Sequence, residues 1–232
     1  GQFRVRSGVL GDIVNGGAVI VGKPGVKIGE PSYAAFASQP SVAKRPQMVY
    51  VAANDGMLHA FDGKTGDEKF AYMPNAVFPA LSKLTAPTYI HRPFVDGPLL
   101  ATEANTTNGW KTVLAGTFGA GAQGVMALDV TDPDAFGVDK VMWEFTDKDD
   151  PDIGNINSQP KIAKVKRNGK TEYFIVVSGG YNNYQDDGKS NNVGDGYIFM
   201  LSLNKPQAAA WALGDNYFKF KLPITDAAVA NG

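Results

Sequence analysis

The sequence predicts an all-β fold built from repeated four-stranded antiparallel units. Three observations carry that prediction. Apolar and polar residues alternate in short runs, with no sustained helical period. Turn-forming residues punctuate those runs, with 27 glycines and 14 prolines among 232 residues. The same order of runs occurs three times. Four strands per unit, repeated along the chain, is the pattern of β-propeller blades.

The first unit is the clearest. Met48-Val49-Tyr50-Val51-Ala52 and Met57-Leu58-His59-Ala60-Phe61 flank Asn54-Asp55-Gly56. Asp-Gly makes a hairpin turn because glycine takes a positive φ without strain. Asp62-Gly63-Lys64-Thr65-Gly66 is the next turn, and Glu68-Lys69-Phe70-Ala71-Tyr72 is the strand after it. A leading strand is read over residues 11–20. In the second unit, strands are read at 94–101, 111–118, 124–130 and 141–145. In the third they fall at 157–163, 173–178 and 196–203, and Ala210-Trp211-Ala212-Leu213 closes the blade. The chain is thus read as one partial propeller domain over 1–232. Blade one covers about 11–74, an insertion 75–92, blade two about 94–146, blade three about 157–215 and a tail 216–232.

Asp62, Asp129 and Ser202 stand at equivalent turn positions, but further apart than the roughly 40–45 residues of a minimal blade. Insertions at 75–92, 102–110, 132–140 and 181–195 account for the excess. In the first of these, Val77, Phe78, Leu81 and Leu84 have the spacing of a short helix. Loops of this kind on a rigid scaffold are where binding usually resides, so 75–92 and 181–195 are the expected binding loops.

Composition excludes several function classes. With 22 Lys and Arg against 23 Asp and Glu, the chain lacks the basic excess that a nucleic-acid partner calls for. Without cysteine there is no disulfide, thiolate catalysis or cysteine-ligated zinc. No apolar run approaches the 18 or so residues of a transmembrane helix. Gly1-Gln2-Phe3-Arg4 does not read as a signal peptide, and the expectation is a segment of a longer protein.

Chemistry-bearing residues are few. Asp186, Asp187, Asn191, Asn192 and Asp195 crowd one glycine-rich loop, and calcium takes several such oxygen ligands. Their spacing misses the Asp-x-Asp-x-Asp-Gly template, so the favoured reading is a solvated hairpin and no metal is assigned. Asp147, Asp149, Asp150 and Asp152 read as turn residues. His59 reads as a packed or partly exposed strand histidine and not as a ligand, and His91 has no carboxylate at motif spacing. Gly119-Ala120-Gly121-Ala122-Gln123-Gly124 formally matches a dinucleotide fingerprint. It lies between two strands instead of opening a helix, so it reads as a wide hairpin turn. No catalytic residue and no cofactor-binding residue is assigned.

Ala60-x-Asp62-x-x-Thr65-Gly66-x-Glu68-x-Phe70 resembles the blade-docking motif of quinoprotein-type propellers, with Phe70 where that motif usually has Trp. Blade two keeps Ala127 and Asp129 and ends on Trp143. Blade three has Met200 and Ser202 and is read as ending on Trp211.

Longer motifs go beyond the fold. They include Val9-Leu10-Gly11-Asp12-Ile13-Val14-Asn15, residues 50–61, Phe94-Val95-Asp96-Gly97 and Trp110-Lys111-Thr112-Val113-Leu114. Ala127-Leu128-Asp129-Val130-Thr131-Asp132-Pro133 and Trp143-Glu144-Phe145 follow in order. Together, from about Val9 to Leu203, they resemble the C-terminal propeller domain of the PilC/PilY family, type IV pilus tip-associated adhesins and biogenesis factors. The resemblance implies a non-enzymatic propeller at the pilus tip or outer-membrane surface of a Gram-negative bacterium. It implies a role in pilus assembly, retraction control and host-cell adhesion. The implied partners are minor pilins and a host-cell receptor or matrix. The family also carries an EF-hand-like calcium loop in a later blade. No copy of that loop stands in this sequence, so calcium is expected of the wider family domain and not of this chain.

Two other readings stay open at the level of sequence. One is a quinoprotein dehydrogenase fragment holding pyrroloquinoline quinone and calcium, although no clustered acid–base set stands in the sequence. The other is an outer-membrane assembly scaffold. Three blades fall short of the 4–8 that usually close a propeller, so a larger parent or a capping partner is expected.

Overall fold

A computed structural model describes residues 3–6, 8–25, 28–183 and 195–223. Among these residues, three four-stranded antiparallel meanders follow one another. Blade one comprises β1 (Ala18–Val21), β2 (Met48–Ala52), β3 (Leu58–Asp62) and β4 (Glu68–Tyr72). Blade two comprises β5 (Leu99–Thr106), β6 (Gly109–Thr117), β7 (Gly124–Asp129) and β8 (Val141–Thr146). Blade three comprises β9 (Lys161–Arg167), β10 (Lys170–Ser178), β11 (Tyr197–Ser202) and β12 (Tyr217–Lys221). β1 of blade one lies against β5 of blade two, and β5 lies against β10, the second strand of blade three.

The core is made between blades. Tyr50, Leu58 and Ala60 of blade one close on Leu99, Leu114, Met126 and Leu128 of blade two. Val113, Val125, Ala127 and Phe145 of blade two close on Tyr173, Ile175, Phe199 and Leu201 of blade three. The period-2 alternation seen in the sequence thus sends one set of side chains into each neighbouring interface.

The docking motif repeats in space. Asp62, Asp129 and Ser202 each end the third strand of a blade. Each accepts a hydrogen bond from the backbone N–H two residues on: Lys64 (2.8 Å), Thr131 (3.1 Å) and Asn204 (3.1 Å). Ala60 stands opposite Phe70, Ala127 opposite Trp143 and Met200 opposite Phe218. A bulge follows Ala60 and another follows Ala127. Each small alanine leaves room for a ring, and each ring meets the next blade. Phe70 stacks on Phe136 with centroids 3.7 Å apart, and Trp143 meets Trp211 edge-on at 5.0 Å.

Four expectations are corrected. The closing strand of blade three is Tyr217–Lys221 and not 210–213, so it lies beyond residue 215 in the segment read as a tail. Trp211 instead reaches back to blade two, where its Nε1–H donates to the Glu144 carbonyl (2.8 Å). The turn that follows is held by Asn216, whose amide accepts from Ala212 N–H and donates to the Ala210 carbonyl. Residues 102–110 are no insertion. They are the tip of a long β5–β6 hairpin whose glycine, Gly109, has φ +91°. The leading strands begin late, at Ala18, Leu99 and Lys161. Lastly, β1 and β2 do not follow one another directly but are separated by an insertion. It holds helices α1 (Pro31–Ala37) and α2 (Pro40–Ala43), each opened by proline. Tyr33 of α1 packs edge-on to Trp110 at 4.9 Å, and Arg45 bonds Gly22 O, Thr112 Oγ1 and Glu103 Oε1. The insertion thereby straps blade one onto blade two.

Candidate binding face

An antiparallel meander puts its strand two–three turns at one end of the blade and its other two turns at the opposite end. The first end gathers the Asn54-Asp55-Gly56 turn, the Gly119–Gly124 turn and the start of the loop after β10. Beside each turn runs the segment leading into a first strand. Asn54 N donates to Asp12 O (3.0 Å), Asp96 N to Phe118 O (3.3 Å) and Asn155 N to Tyr181 O (2.7 Å).

One polar side chain in the leader of blade two, and one in that of blade three, latches onto the preceding blade. The buried Asp96 carboxylate accepts from Asn15 N (3.1 Å), Asn15 Nδ2 (2.7 Å) and Asn54 Nδ2 (3.4 Å). Asn54 Oδ1 in turn accepts from Phe94 N (2.9 Å). One blade further on, Asn155 Nδ2 donates to Gly119 O (2.9 Å) and Ala122 O (3.0 Å). Buried polar groups that are fully bonded in this way fix geometry, because any slip leaves them without water or partner. The glycines of the 119–124 turn serve this contact. A Cβ at Gly121 would lie 1.7 Å from Phe94 O, and Gly119 takes φ +58° against the Asp96 backbone. The close approach is thus to the chain itself, and β6 and β7 flank the turn as expected.

Of the two placements left open, packed or partly exposed, His59 takes the packed one in β3, between two carboxylates. Its Nδ1 lies 2.6 Å from Glu68 Oε1, and its Nε2 lies 3.1 Å from both Asp55 oxygens. With both nitrogens facing carboxylates, both must donate, which requires the imidazolium. Burial works against that charge, but the bonds to Asp55 and Glu68 outweigh it and raise the His59 pKa above 6.5. Burial likewise opposes the Asp55 charge, and the bonds from His59 and Gly11 N overcome it and lower its pKa. His91 does have a carboxylate partner, Asp12 at 2.9 Å, 79 residues away in sequence.

The insertion at 75–92 lies on this same face. Its first part forms a 3-10 helix (Asn75–Thr85) whose start is held by Glu144, which accepts from Asn75 N (2.8 Å) and Ala76 N (3.1 Å). Val77 is buried, Leu81 and Leu84 lean on the core, and Phe78 stands 65% exposed. A cleft of about 370 Å³ lies between this helix and Gln123, Thr146 and Lys148, with Glu144 on its wall. A second, of about 300 Å³, opens between Arg4, Arg6, Leu10, Asp12 and Tyr89. Ile90, Val9, Ile13 and Val14 are exposed at its surroundings. Gln123 Nε2 also donates to Asn182 O (3.3 Å), so the start of the loop at 181–195 joins the same face.

The acidic residues divide. Asp186, Asp187, Asn191 and Asn192 lie outside the described residues. Asp195 gives its carboxylate to Lys221 Nζ (2.5 Å), an ammonium that competes with any cation there. Among the described residues no three acidic or histidine side chains converge on a metal position, and the residues described do not fit calcium. Asp149 is a turn residue, accepting from Thr146 N (2.9 Å). Asp150 and Asp152 do more than turn the chain. Both are buried and both bond Lys219 Nζ, at 2.9 and 2.6 Å, while Tyr217 OH donates to Asp150. Sequence reasoning missed this cluster and both latches, because every partner is distant in the chain. Among the described residues no helix is long and apolar enough to cross a membrane.

Comparison with known proteins agrees with this architecture. Residues 10–204 match the family described as the PilY1 beta-propeller domain. A type IV pilus biogenesis factor PilY1 homolog from Xylella fastidiosa (strain Temecula1) is 42% identical over 195 residues, covering 81% of this chain and 15% of that protein. The type IV pilus biogenesis factor PilY1 of Pseudomonas aeruginosa (strain UCBPP-PA14) is 40% identical over 195 residues, covering 79% of this chain and 16% of that protein. The chain therefore spans about a sixth of the length of these relatives. The crystal structure of the Pseudomonas aeruginosa PilY1 C-terminal domain superposes with a TM-score of 0.65 at 31% identity, over 89% of this chain and 37% of that one. The chain belongs to the PilY1 β-propeller family.

Proposed function

We propose that this chain is a non-catalytic binding module of type IV pilus biogenesis, which contacts pilus proteins through the face built from its strand two–three turns. The observation that carries this reading is the convergence on one rigid face of the latched turns, the 75–92 insertion and the start of the 181–195 loop. Exposed Phe78, Ile90, Ile13 and Val14 stand on that face as apolar contact groups. Interfaces gain most from such side chains when the scaffold is already ordered. The relatives' description as pilus biogenesis factors supplies the partner class, and minor pilins are the proposed partners. Host-cell adhesion, retraction control and a place at the pilus tip extend the same reading, and they rest on the family resemblance.

Deleting the insertion would not test this cleanly, because Val77 and the Glu144 cap tie it to the core. Replacing Phe78, Ile90 and Ile13 by serine in the full chain leaves those anchors intact. Reduced co-purification of pilus proteins, with the thermal midpoint unchanged, is expected. Undiminished co-purification from the triple variant would reject this face.

A further inference from the structure

The opposite end of blade three carries a feature that the proposed binding face does not use. Residues 161–172 hold five cations, Lys161, Lys164, Lys166, Arg167 and Lys170, against one carboxylate, Glu172. Over the whole chain the net charge is only −1, so this is a local concentration. The residues lie on the β9–β10 hairpin, whose two-residue turn has positive φ at both positions, Asn168 (+50°) and Gly169 (+77°). That is the tight, twist-matched hairpin turn, and it projects its flanking cations from a rigid tip. Lys164 is paired with Glu30, and Arg167 with Glu172 at 3.5 Å. Lys166 and Lys170 are exposed and have no ion pair among the described residues.

Beneath the tip, between blades two and three, lies a groove of about 520 Å³. Asn105, Thr107, Asn204 and Asn216 line it together with the cations Arg167 and Lys170 and the carboxylates Glu172 and Asp215, so the cationic excess lies at the hairpin tip above it. Lys205, also on its wall, is 7% exposed. Its ammonium rests on Pro206 O (3.1 Å) and over the Trp211 ring (4.8 Å), with no carboxylate in ion-pair range among the described residues. A buried cation is ordinarily matched by an anion.

We propose that this hairpin and groove dock an acidic segment of a partner polypeptide. Its carboxylates would meet Lys170 and Arg167 at the groove and Lys166 on the other face of the same hairpin tip, and its backbone would meet the amide and hydroxyl groups below. Charge complementarity selects an anionic partner and speeds its encounter. The lining favours a peptide over a glycan, since no aromatic ring lines the groove to stack on a sugar. It favours a peptide over a membrane, since amides and hydroxyls rather than large apolar side chains line it. The exposed face carries no role in the strand packing, so β9 and β10 keep their pairing without Lys166 or Lys170.

The test is fluorescence anisotropy of the full chain with a fluorescein-labelled octaglutamate peptide, at low and at high salt. Salt-sensitive binding is expected, weakened roughly tenfold by the Lys166→Glu and Lys170→Glu pair, since each exposed charge contact is modest and both change sign. Lys64→Glu with Lys83→Glu, equal in charge change but placed on blade one and on the 75–92 insertion, should leave affinity within about twofold. Three results would overturn the proposal: no peptide binding, equal loss in the two pairs, or tighter capture of dextran sulfate or phosphatidylglycerol vesicles than of the peptide.

Discussion

Trp211→Ala is expected to destabilise the protein by about 3 kcal/mol, although Trp211 sits in a loop. Three terms make up that figure. The indole N–H bond to Glu144 O, at 2.8 Å, contributes about 1 kcal/mol. Edge-on contacts to Trp143 and Phe145, each at 5.0 Å, contribute about 0.5–1.5 kcal/mol apiece beyond their burial. Truncating a large ring at a packed interface costs about 3–5 kcal/mol where burial is complete. Trp211 is only half-buried, so the low end of that range, inclusive of the other terms, applies. Trp211→Phe keeps a ring and loses the hydrogen bond, and should cost about 1–2 kcal/mol. Urea denaturation followed by far-UV circular dichroism measures both. Near-UV circular dichroism should also change, since Trp143 and Trp211 are in contact. If both substitutions cost under about 0.5 kcal/mol, as for an exposed surface position, then Trp211 is not the piece that joins blade three to blade two.

Asp96→Ala should cost about 2–4 kcal/mol in the same assay, because it orphans donors from Asn15 and Asn54 inside the blade one–two junction. Gly121→Ala should largely prevent folding, read as loss of soluble protein, because its Cβ would overlap Phe94 O. The His59 clamp gives the pH dependence. A raised folded pKa means that its contribution is complete below 6.5 and is lost as pH rises through the folded value. Asp55, with a lowered pKa, contributes above 3.8 and loses that contribution as pH falls through its folded value. Urea midpoints measured upward from pH 6.5 should therefore decline in the parent chain and flatten in His59→Gln. A parallel decline in both would show that His59 does not carry the effect.

Much of the blade pattern was legible because it is local. Alternation in Met48–Ala52 and Leu58–Asp62 records which side chains enter an interface, and Asn54-Asp55-Gly56 records the turn between them. The equivalence of Asp62, Asp129 and Ser202 was visible for the same reason, since each caps the turn that it begins. The α1 insertion could have been found from Pro31 with Tyr33 and Phe36 three apart, a helix start followed by an apolar pair.

What sequence alone determined about this protein is therefore its repeat, most of its strands and its family, all of which depend on neighbours along the chain. Tertiary structure alone decided which ring closes which junction. Trp211 lies at a strand-like position in a strand-like run, yet Asn216 turns that segment away, and Tyr217–Lys221 takes the sheet edge. It alone decided the face as well. Asp96 reaches Asn15 across 81 residues, and His91 reaches Asp12 across 79. Such pairings come from how blades stack, and no periodicity in the chain encodes them. The same packing places the basic β9–β10 tip over a groove whose walls come from two blades, so the cations could be counted in the sequence while the groove could not.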